Sequence, residues 1–309
     1  MSNPSRPGAV DFSALDFGRL WLGRDRTTAV ERAVLGAALG FADRRRVLEV
    51  GAGEGRLTPV ASRDSGEFVA LDLTPSFLGR MTWEEAAGRR RVAANVHALP
   101  FSDASFTSVV MERMYNFLET PGRALAEIRR VLVPGGSLVL SYYPKPSLAT
   151  LVDDFKVWSA GIDGPFESAT FSPHDLVPVR PSTFRAWAPT RARFRRTLEA
   201  EQYSLLREFP TGLEDFRPFG VMPAKLFVRL ASEFPKLGGF PNRLVLAQTP
   251  PGPSAPLRPW SEIWACPRCA RPFRFPDRDG DSLGFCGTCL FPLRLKDGVL
   301  DARHPMPLT

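Results

Sequence analysis

Short apolar runs alternate with helix-like segments over residues 46–142, and this alternation is the main structural signal in the chain. The apolar runs predict strands near 46–50, 67–72, 91–95, 105–111 and 136–142. The intervening periodicity predicts helices near 54–63, 75–87 and 120–132. Strands that alternate with helices are typical of a doubly wound, mostly parallel α/β sheet, which is therefore the predicted fold class.

The segments on either side suggest how the chain is divided. Residues 1–45 are predicted to form a helical leader, and 46–248 a first domain that ends with helices from about 189 and at 223–234 and a strand at 242–248. Within that domain the proline-rich stretch 144–188 is interpreted as an inserted lid over the substrate. Residues 249–259 are dense in proline and predict an extended linker to a small second domain at 260–302.

Three alternate glycines, Gly51, Gly53 and Gly55, follow the first predicted strand. Glycine tolerates positive φ and lets a ligand touch the main chain, and a following helix start offers free N–H groups. A dinucleotide-binding G-x-G-x-x-G motif would need its third glycine at the position of Arg56, which counts against that class. Here Glu49 precedes the glycines and Asp72 ends the next apolar run.

The E-x-G-x-G-x-G pattern with Asp72 resembles the first two motifs of the class I S-adenosylmethionine-dependent methyltransferases. Residues 95–114 resemble their third and fourth strand region, and residues 124–143 resemble their fourth helix, Pro-Gly-Gly turn and fifth strand. The resemblance implies a Rossmann-like fold, methyl transfer from S-adenosylmethionine, and a cofactor site at the carboxyl ends of the strands. The alternative is a glycine turn that only packs a strand on a helix.

The resemblance also assigns roles to individual residues. Asp72 would accept hydrogen bonds from the ribose hydroxyls, or else only cap the next helix, and Glu49 would hold the amino group of the cofactor. Asn95 stands where the family usually has an acid that reads the adenine amino group, so its bond should be weaker. The predicted cofactor-binding residues are Glu49, Gly51, Ala52, Gly53, Gly55, Asp72, Leu73, Asn95, Val96 and Met111.

A catalytic residue is not identified by the sequence. The segment 111–117, MERMYNF, stands where amino-nitrogen methyltransferases have [DN]-P-P-[YFW], which counts against adenine or glutamine methylation. Methyl transfer from a sulfonium depends mainly on placement, so the enzyme can lack an obvious base. Candidates are present beside strand ends or on the predicted lid, although packing or solvation is the favoured explanation of each: Tyr115, Asn116, Tyr142, Tyr143, His97 and His174.

All four cysteines lie in two C-x-x-C pairs near the end of the chain. The spacing of Cys266, Cys269, Cys286 and Cys289 is typical of a structural zinc ribbon with four thiolates and no open position. Residues 262–302 also resemble the small zinc-ribbon activators that pair with methyltransferases of tRNA, ribosomal RNA and release factors. Leu300 replaces the usual proline. The resemblance implies that the ribbon packs on and stabilises its own methyltransferase domain.

Charge bears on the choice of partner. The net charge is +7 with 35 arginines and 5 lysines, which attracts phosphate but also fits a GC-rich codon bias. The arginine- and aromatic-rich segment 180–196 is either an RNA-binding surface or a solvated helix face. Trp21 has two interpretations of its own, since it either helps to close over the methionine end of the cofactor or is a packing residue.

These observations leave three functional hypotheses. The first is a methyltransferase of tRNA or ribosomal RNA with a fused zinc ribbon. The second is a methyltransferase of a small molecule, and the third is a non-catalytic protein that binds the cofactor or a partner. No apolar run reaches the roughly 18–20 residues that span a bilayer, so we expect a cytoplasmic protein.

Overall fold

The computed structural model describes most of the predicted core and the cysteine-containing module. Its described residues are 21, 23–82, 88–118, 120–144, 189–212, 223, 226, 229, 233, 240, 242–253, 256–274 and 280–303. Most of the predicted leader before α1, almost all of the predicted lid at 144–188, and most of the predicted helix at 223–234 lie outside these residues.

The helices and strands follow the predicted alternation. The helices are α1 (Asp25–Leu39), α2 (Thr58–Ala61), α3 (Pro75–Arg80), α4 (Pro121–Val131) and α5 (Arg191–Ala200), with 3-10 turns at Tyr115–Phe117 and Trp260–Glu262. The strands of the core are β1 (Arg46–Val50), β2 (Glu67–Asp72), β3 (Arg89–Ala93), β4 (Phe106–Met111), β5 (Leu132–Tyr142), β6 (Ser204–Thr211) and β7 (Asn242–Gln248). The C-terminal module contributes β8 (Ser282–Phe285), β9 (Pro292–Lys296) and β10 (Val299–Asp301).

All of these strands join one sheet in the order β6-β7-β5-β4-β1-β2-β3-β10-β9-β8. The central pairs β5-β4, β4-β1, β1-β2 and β2-β3 are parallel, whereas β7 runs antiparallel to both β5 and β6. This confirms the predicted α/β class with a mostly parallel, doubly wound sheet. The carboxyl ends of β1, β2, β3, β4 and β5 therefore share one edge, where ligands of such sheets bind.

The C-terminal module continues the sheet of the core. Strand β10 pairs in parallel with β3, from Val299 opposite Arg91 to Asp301 opposite Ala93, and the hairpins β9-β10 and β8-β9 extend the sheet further. The segment predicted to be a linker also contacts the core. The carbonyl of Pro250 accepts from the Gly135 N–H at 2.9 Å, and that of Arg258 accepts from Arg46 at 2.9 Å.

Apolar side chains are buried on both faces of the sheet. One face is covered by α1, α2 and α3, whose residues Val34, Leu35 and Leu78 pack against Val47 and Phe68. The other face is covered by α4, α5 and the C-terminal module, with Leu125, Phe194 and Trp264 in a single cluster. Among the described residues, no helix is long and apolar enough to cross a membrane.

Some boundaries differ from the predicted ones. The helix predicted at 54–63 is only Thr58–Ala61, because Gly51, Gly53 and Gly55 all adopt positive φ and keep residues 51–57 in a turn. Strand β3 begins at Arg89 and ends at Ala93, so Asn95 lies in the turn beyond it. Strand β5 is longer than predicted and begins at Leu132, immediately after α4 ends at Val131.

Candidate active site and cysteine cluster

The glycine turn and Asp72 meet at the carboxyl edge of the sheet. Gly51 N–H and Ala52 N–H donate to the Leu71 carbonyl at 2.8 and 3.0 Å, and Gly53 N–H donates to Asp72 Oδ2 at 2.9 Å. Asp72 Oδ1 accepts from Thr74 N–H at 2.9 Å, so the carboxylate also braces the turn into α3, the alternative considered above. Burial raises the pKa of Asp72 above its ordinary value, and these backbone hydrogen bonds oppose the shift.

The three glycines have different neighbours. A Cβ at Gly51 would lie 2.1 Å from Met114 Sδ, and one at Gly55 would lie 2.7 Å from Met81 Cγ. A Cβ at Gly53 would have no described heavy atom within 4 Å. Bare main chain is therefore open at Gly53, while flexible methionine side chains cover the other two positions.

Glu49 lies beneath the turn, in the last part of β1. Its side chain is buried, and Oε2 accepts a hydrogen bond from Thr58 Oγ1 at 2.6 Å. Burial raises the pKa of Glu49 to about 7, while the Thr58 hydrogen bond and the Arg56 charge act in the opposite direction. Glu49 therefore joins the glycine turn to the start of α2.

The remaining predicted cofactor residues lie along the same edge, in different settings. Asn95 Oδ1 accepts from His97 N–H at 3.0 Å, so this oxygen already closes a turn, and its role toward adenine stays a prediction. Ala52 and Val96 are buried, and Leu73 is partly exposed. Met111 is fully buried in the core, so only its main chain can face a ligand.

A buried charge network stands beside the glycine turn. Glu31 of α1 pairs with Arg56 at 2.6 Å and with Arg113, and the hydroxyl of Tyr143 accepts a hydrogen bond from Arg113. Burial would raise the pKa of Glu31, but the two guanidinium groups lower it overall. The Trp21 ring lies 3.6 Å from the Arg56 guanidinium carbon, so Trp21 packs on this network.

Glu112 is the most informative acid that sequence reasoning did not select. It follows directly after β4 and accepts from Arg113 N–H at 3.1 Å. Burial, with the nearby charge of Glu31, raises the pKa of Glu112 to about 7. Arg113 itself has a positive φ of 55°, a costly conformation that tends to occur at functional sites. The available signal was the position of an acid immediately after β4.

The predicted catalytic candidates separate into several groups. Tyr142 is fully buried and its ring stacks on Phe194 at 3.7 Å, and Tyr115 packs on the same ring at 5.1 Å, so both are core residues. Asn116 Nδ2 donates to the Tyr143 carbonyl at 3.1 Å, and Asn116 Oδ1 accepts from the Tyr143 N–H at 2.8 Å. His97 Nε2 lies 3.0 Å from Thr120 Oγ1. His174 lies outside the described residues.

The arginine-rich segment is only partly described, since Arg180, Phe184, Arg185 and Trp187 lie outside the described residues. On α5, Arg191 and Arg195 pair with Glu208 at 2.6 and 2.7 Å. Phe194 is fully buried and therefore cannot stack on a base. Arg193 and Arg196 are exposed, so the described part of the segment is better explained as a partly solvated helix face.

The four cysteines converge on one point. All four sulfurs lie within 4.8 Å of one another, with Cys266–Cys289 and Cys269–Cys286 each at 3.6 Å. A tetrahedral ion with Zn–S bonds of about 2.3 Å requires sulfurs about 3.8 Å apart, which these distances approach. Each C-x-x-C turn is followed directly by a residue with positive φ, Ala270 and Leu290, both at 57°. The cluster can hold a metal ion.

The residues at the sheet edge fit a sulfonium nucleoside. A carboxylate offers about four acceptor sites, so the hydrogen bonds from the Gly53 and Thr74 N–H groups leave Asp72 with capacity to accept from a ribose hydroxyl. The open main chain at Gly53 allows a close approach.

Comparisons with known proteins show the family of this chain. Residues 48–140 match the family described as "Methyltransferase domain". The demethylmenaquinone methyltransferase of Mycobacterium sp. (strain KMS) is 30% identical over 61% of this chain and 79% of its own length. Another, from Renibacterium salmoninarum, is 34% identical over 36% of this chain, and the match spans 46% of that relative. Malonyl-[acyl-carrier protein] O-methyltransferase of Methylococcus capsulatus is 32% identical over 44% of this chain and 53% of its own length.

A solved structure shares the fold. It is a complex of the Haloferax volcanii Trm112 methyltransferase activator with a methyltransferase. Its TM-score is 0.52 and its identity 17%, over 77% of this chain and 96% of that one.

The chain belongs to the class I S-adenosylmethionine-dependent methyltransferases. It is an enzyme that uses S-adenosylmethionine as cosubstrate, with a four-cysteine cluster in the turns of its C-terminal module.

Proposed function

We propose that this methyltransferase acts on a small organic acceptor, free or held on a carrier, and not on tRNA or ribosomal RNA. The observation that carries the proposal is the identity of two relatives, a demethylmenaquinone methyltransferase and a malonyl-[acyl-carrier protein] O-methyltransferase. This favours the small-molecule alternative over the RNA hypothesis that the zinc-ribbon resemblance suggested.

The described surface supports the same choice. An RNA-binding face needs exposed rings beside free cations. On α5 the ring of Phe194 is buried in the core, and two of the arginines are paired with Glu208. The part of the predicted RNA surface that the structure describes therefore lacks an accessible stacking ring.

In this proposal the residues at the carboxyl edge of the sheet have different roles in the reaction. Bound S-adenosylmethionine supplies an electrophilic methyl group with a good leaving group. Asp72 and the main chain of Gly53 orient the nucleoside, and Glu49 holds the turn. Glu112, with a pKa raised to about 7, is suited to accept a proton from the acceptor near neutral pH. The Arg113 guanidinium braces Glu31 and Tyr143 beside it.

The acceptor class can be tested with labelled cofactor. The full-length protein is incubated with methyl-labelled S-adenosylmethionine and a cell extract, and the products are separated into RNA, protein and low-mass fractions. We expect label in the low-mass or carrier-protein fraction, unaffected by RNase and strongly reduced with Asp72→Ala at low cofactor concentration. Label that sediments with RNA and disappears after RNase would overturn the proposal.

For the C-terminal module we propose a structural role centred on one zinc ion. Four thiolates leave no open position for water, so the ion would hold the fold and not catalyse. The parallel pairing of Val299–Asp301 with Arg91–Ala93 supports this role, because it covers the outer edge of β3. We propose that the module thereby stabilises its own methyltransferase domain, since an uncovered β edge invites misassociation.

A further inference from the structure

A second concave surface lies where the C-terminal module meets the core. We name it the junction cleft, and its volume is about 660 Å³. The side chains that give it its chemistry are Arg90, Arg258, Arg274, Glu262, Trp260 and Trp264.

The junction cleft lies by the amino ends of the central strands, whereas the glycine turn lies at their carboxyl ends. Arg90 is the second residue of β3, and the Arg258 carbonyl is held at 2.9 Å by Arg46, the first residue of β1. The glycine turn follows the other end of β1, and Asp72 ends the neighbouring strand β2. Five or six strand residues separate the two edges by on the order of 15 Å. The cleft is therefore a site apart from methyl transfer.

Hydrogen bonds between the module and the core fix the cleft walls. The Ser102 N–H donates to the Ile263 carbonyl at 2.7 Å, and Arg258 Nε donates to the Asp103 carbonyl at 3.2 Å. Trp264 is 1% exposed and packs on Phe101 with ring centroids 5.5 Å apart. The walls are thus preorganised, which lowers the entropic cost of ligand binding.

The lining favours an anion with a flat ring. The described lining residues include three arginines and one acid, Glu262, and this balance favours an anionic ligand. Arg274 and Arg258 are exposed at its mouth. Trp260 is partly exposed, and it is held by Trp264, at 5.8 Å between centroids, and by the Arg46 guanidinium at 5.6 Å. Cations that bind phosphate beside a ring that stacks on a base are the elements of nucleotide recognition.

We propose that the junction cleft binds a nucleotide, either free or within single-stranded RNA. The guanidinium groups of Arg258 and Arg274 bind phosphate, and the Trp260 ring contacts the base. This site is separate from the acceptor site, so the proposal holds whichever acceptor is methylated.

The test measures binding to the full-length, metal-loaded protein. The probes are a labelled single-stranded RNA of roughly ten nucleotides, followed by anisotropy, and adenosine monophosphate, followed by calorimetry. We expect Arg258→Glu with Arg274→Glu to weaken RNA binding by about 10- to 100-fold, with a smaller salt dependence. Trp260→Leu should weaken it by about tenfold through lost stacking. Binding of both probes with the same variant losses identifies a free-nucleotide site, and binding of RNA alone identifies an RNA site.

Arg196→Glu on α5 is the matched control, because it reverses one exposed charge at a distance from the cleft. Binding of S-adenosylmethionine is the check that each variant is folded. If another variant misfolds, Arg274→Glu alone still provides the test, because it lies at an exposed position. The proposal is overturned if neither probe binds, or if Arg196→Glu weakens RNA binding as much as Arg274→Glu does. It is also overturned if polyglutamate binds with equal affinity and Trp260→Leu has no effect, which would indicate an acidic protein partner.

Discussion

The N–H of Gly53 donates to Asp72 Oδ2 over 2.9 Å, and this bond ties the turn after β1 to the end of β2. The contact joins the two motifs that carry the methyltransferase resemblance. One carboxylate therefore has two tasks, since it shapes the turn and offers its remaining lone pairs to a ligand.

Asp72→Ala should weaken S-adenosylmethionine binding by about 10- to 100-fold, because a hydrogen bond to a charged acceptor contributes about 1.5–3 kcal/mol. Calorimetry measures the Kd. Glu199→Ala, which removes an exposed acid on α5, should leave the Kd unchanged. Equal affinity of Asp72→Ala and the unaltered protein would remove Asp72 from the cofactor site.

Gly51→Ala should mainly lower stability, whereas Gly53→Ala should mainly impair cofactor binding. Gly51 has φ 77°, and a Cβ at this position would lie 2.1 Å from Met114 Sδ. Alanine there should therefore lower the free energy of unfolding by at least about 2 kcal/mol. Gly53 has φ 56° and open space, so alanine should cost only about 1 kcal/mol but should obstruct the cofactor. Urea unfolding and calorimetry separate the two effects. Met114→Ala added to Gly51→Ala should restore part of the stability, and an absence of any recovery would contradict the contact.

The pKa of Glu49 predicts a stability that depends on pH. Burial raises this pKa from its ordinary value of 4.5 to about 7, so the folded state binds the proton more tightly than the unfolded state does. This contribution to the free energy of unfolding is present at low pH and is lost as the pH rises from about 4.5 to about 7. Glu49→Gln should therefore gain about 1–3 kcal/mol relative to the unaltered protein between pH 5 and pH 7.5. Urea unfolding at the two pH values measures this gain, and a constant difference would show that Glu49 stays ionised.

Glu112→Gln should lower kcat and leave the Kd of S-adenosylmethionine nearly unchanged. The unaltered enzyme should become faster as the pH rises through about 7, where Glu112 loses its proton and can act as a base. The variant should lose that rise. Glu199→Gln is the control, because it removes an exposed acid on α5, and it should retain the pH dependence of the unaltered enzyme. A pH profile that is unaltered in Glu112→Gln would assign the proton transfer elsewhere.

Cys286→Ser should abolish binding of one zinc per chain and loosen the outer edge of the sheet. Metal binding provides about 10–16 kcal/mol in zinc-finger peptides, so its loss should unfold the module. Metal analysis and hydrogen exchange at the β3 amides measure the two effects. Thr288→Ser, within the same C-x-x-C turn, should retain both the metal and the protection. Iron in place of zinc, or full metal content in Cys286→Ser, would overturn the assignment.

The sequence by itself determined the alternation of β1 to β5 with helices, the glycine turn, the acid after β2 and the four-cysteine spacing. These are local properties, because strand and helix periodicity, the backbone freedom of glycine and the C-x-x-C turn each depend on neighbouring residues. The predicted strands at 46–50 and 67–72 are the observed β1 and β2. The helix after the glycines was overestimated, since positive φ at three positions delays it until Thr58.

Only the tertiary structure decided which distant groups meet. Glu31 and Arg113 are 82 residues apart in the chain, and no local pattern pairs them, yet burial makes their contact strong. Phe194 is buried in the folded protein, so its ring is not exposed to a ligand. Burial is also the main cause of the raised pKa of Glu112. The parallel pairing of β10 with β3 likewise depends on the geometry of a free sheet edge, which the order of residues does not encode locally.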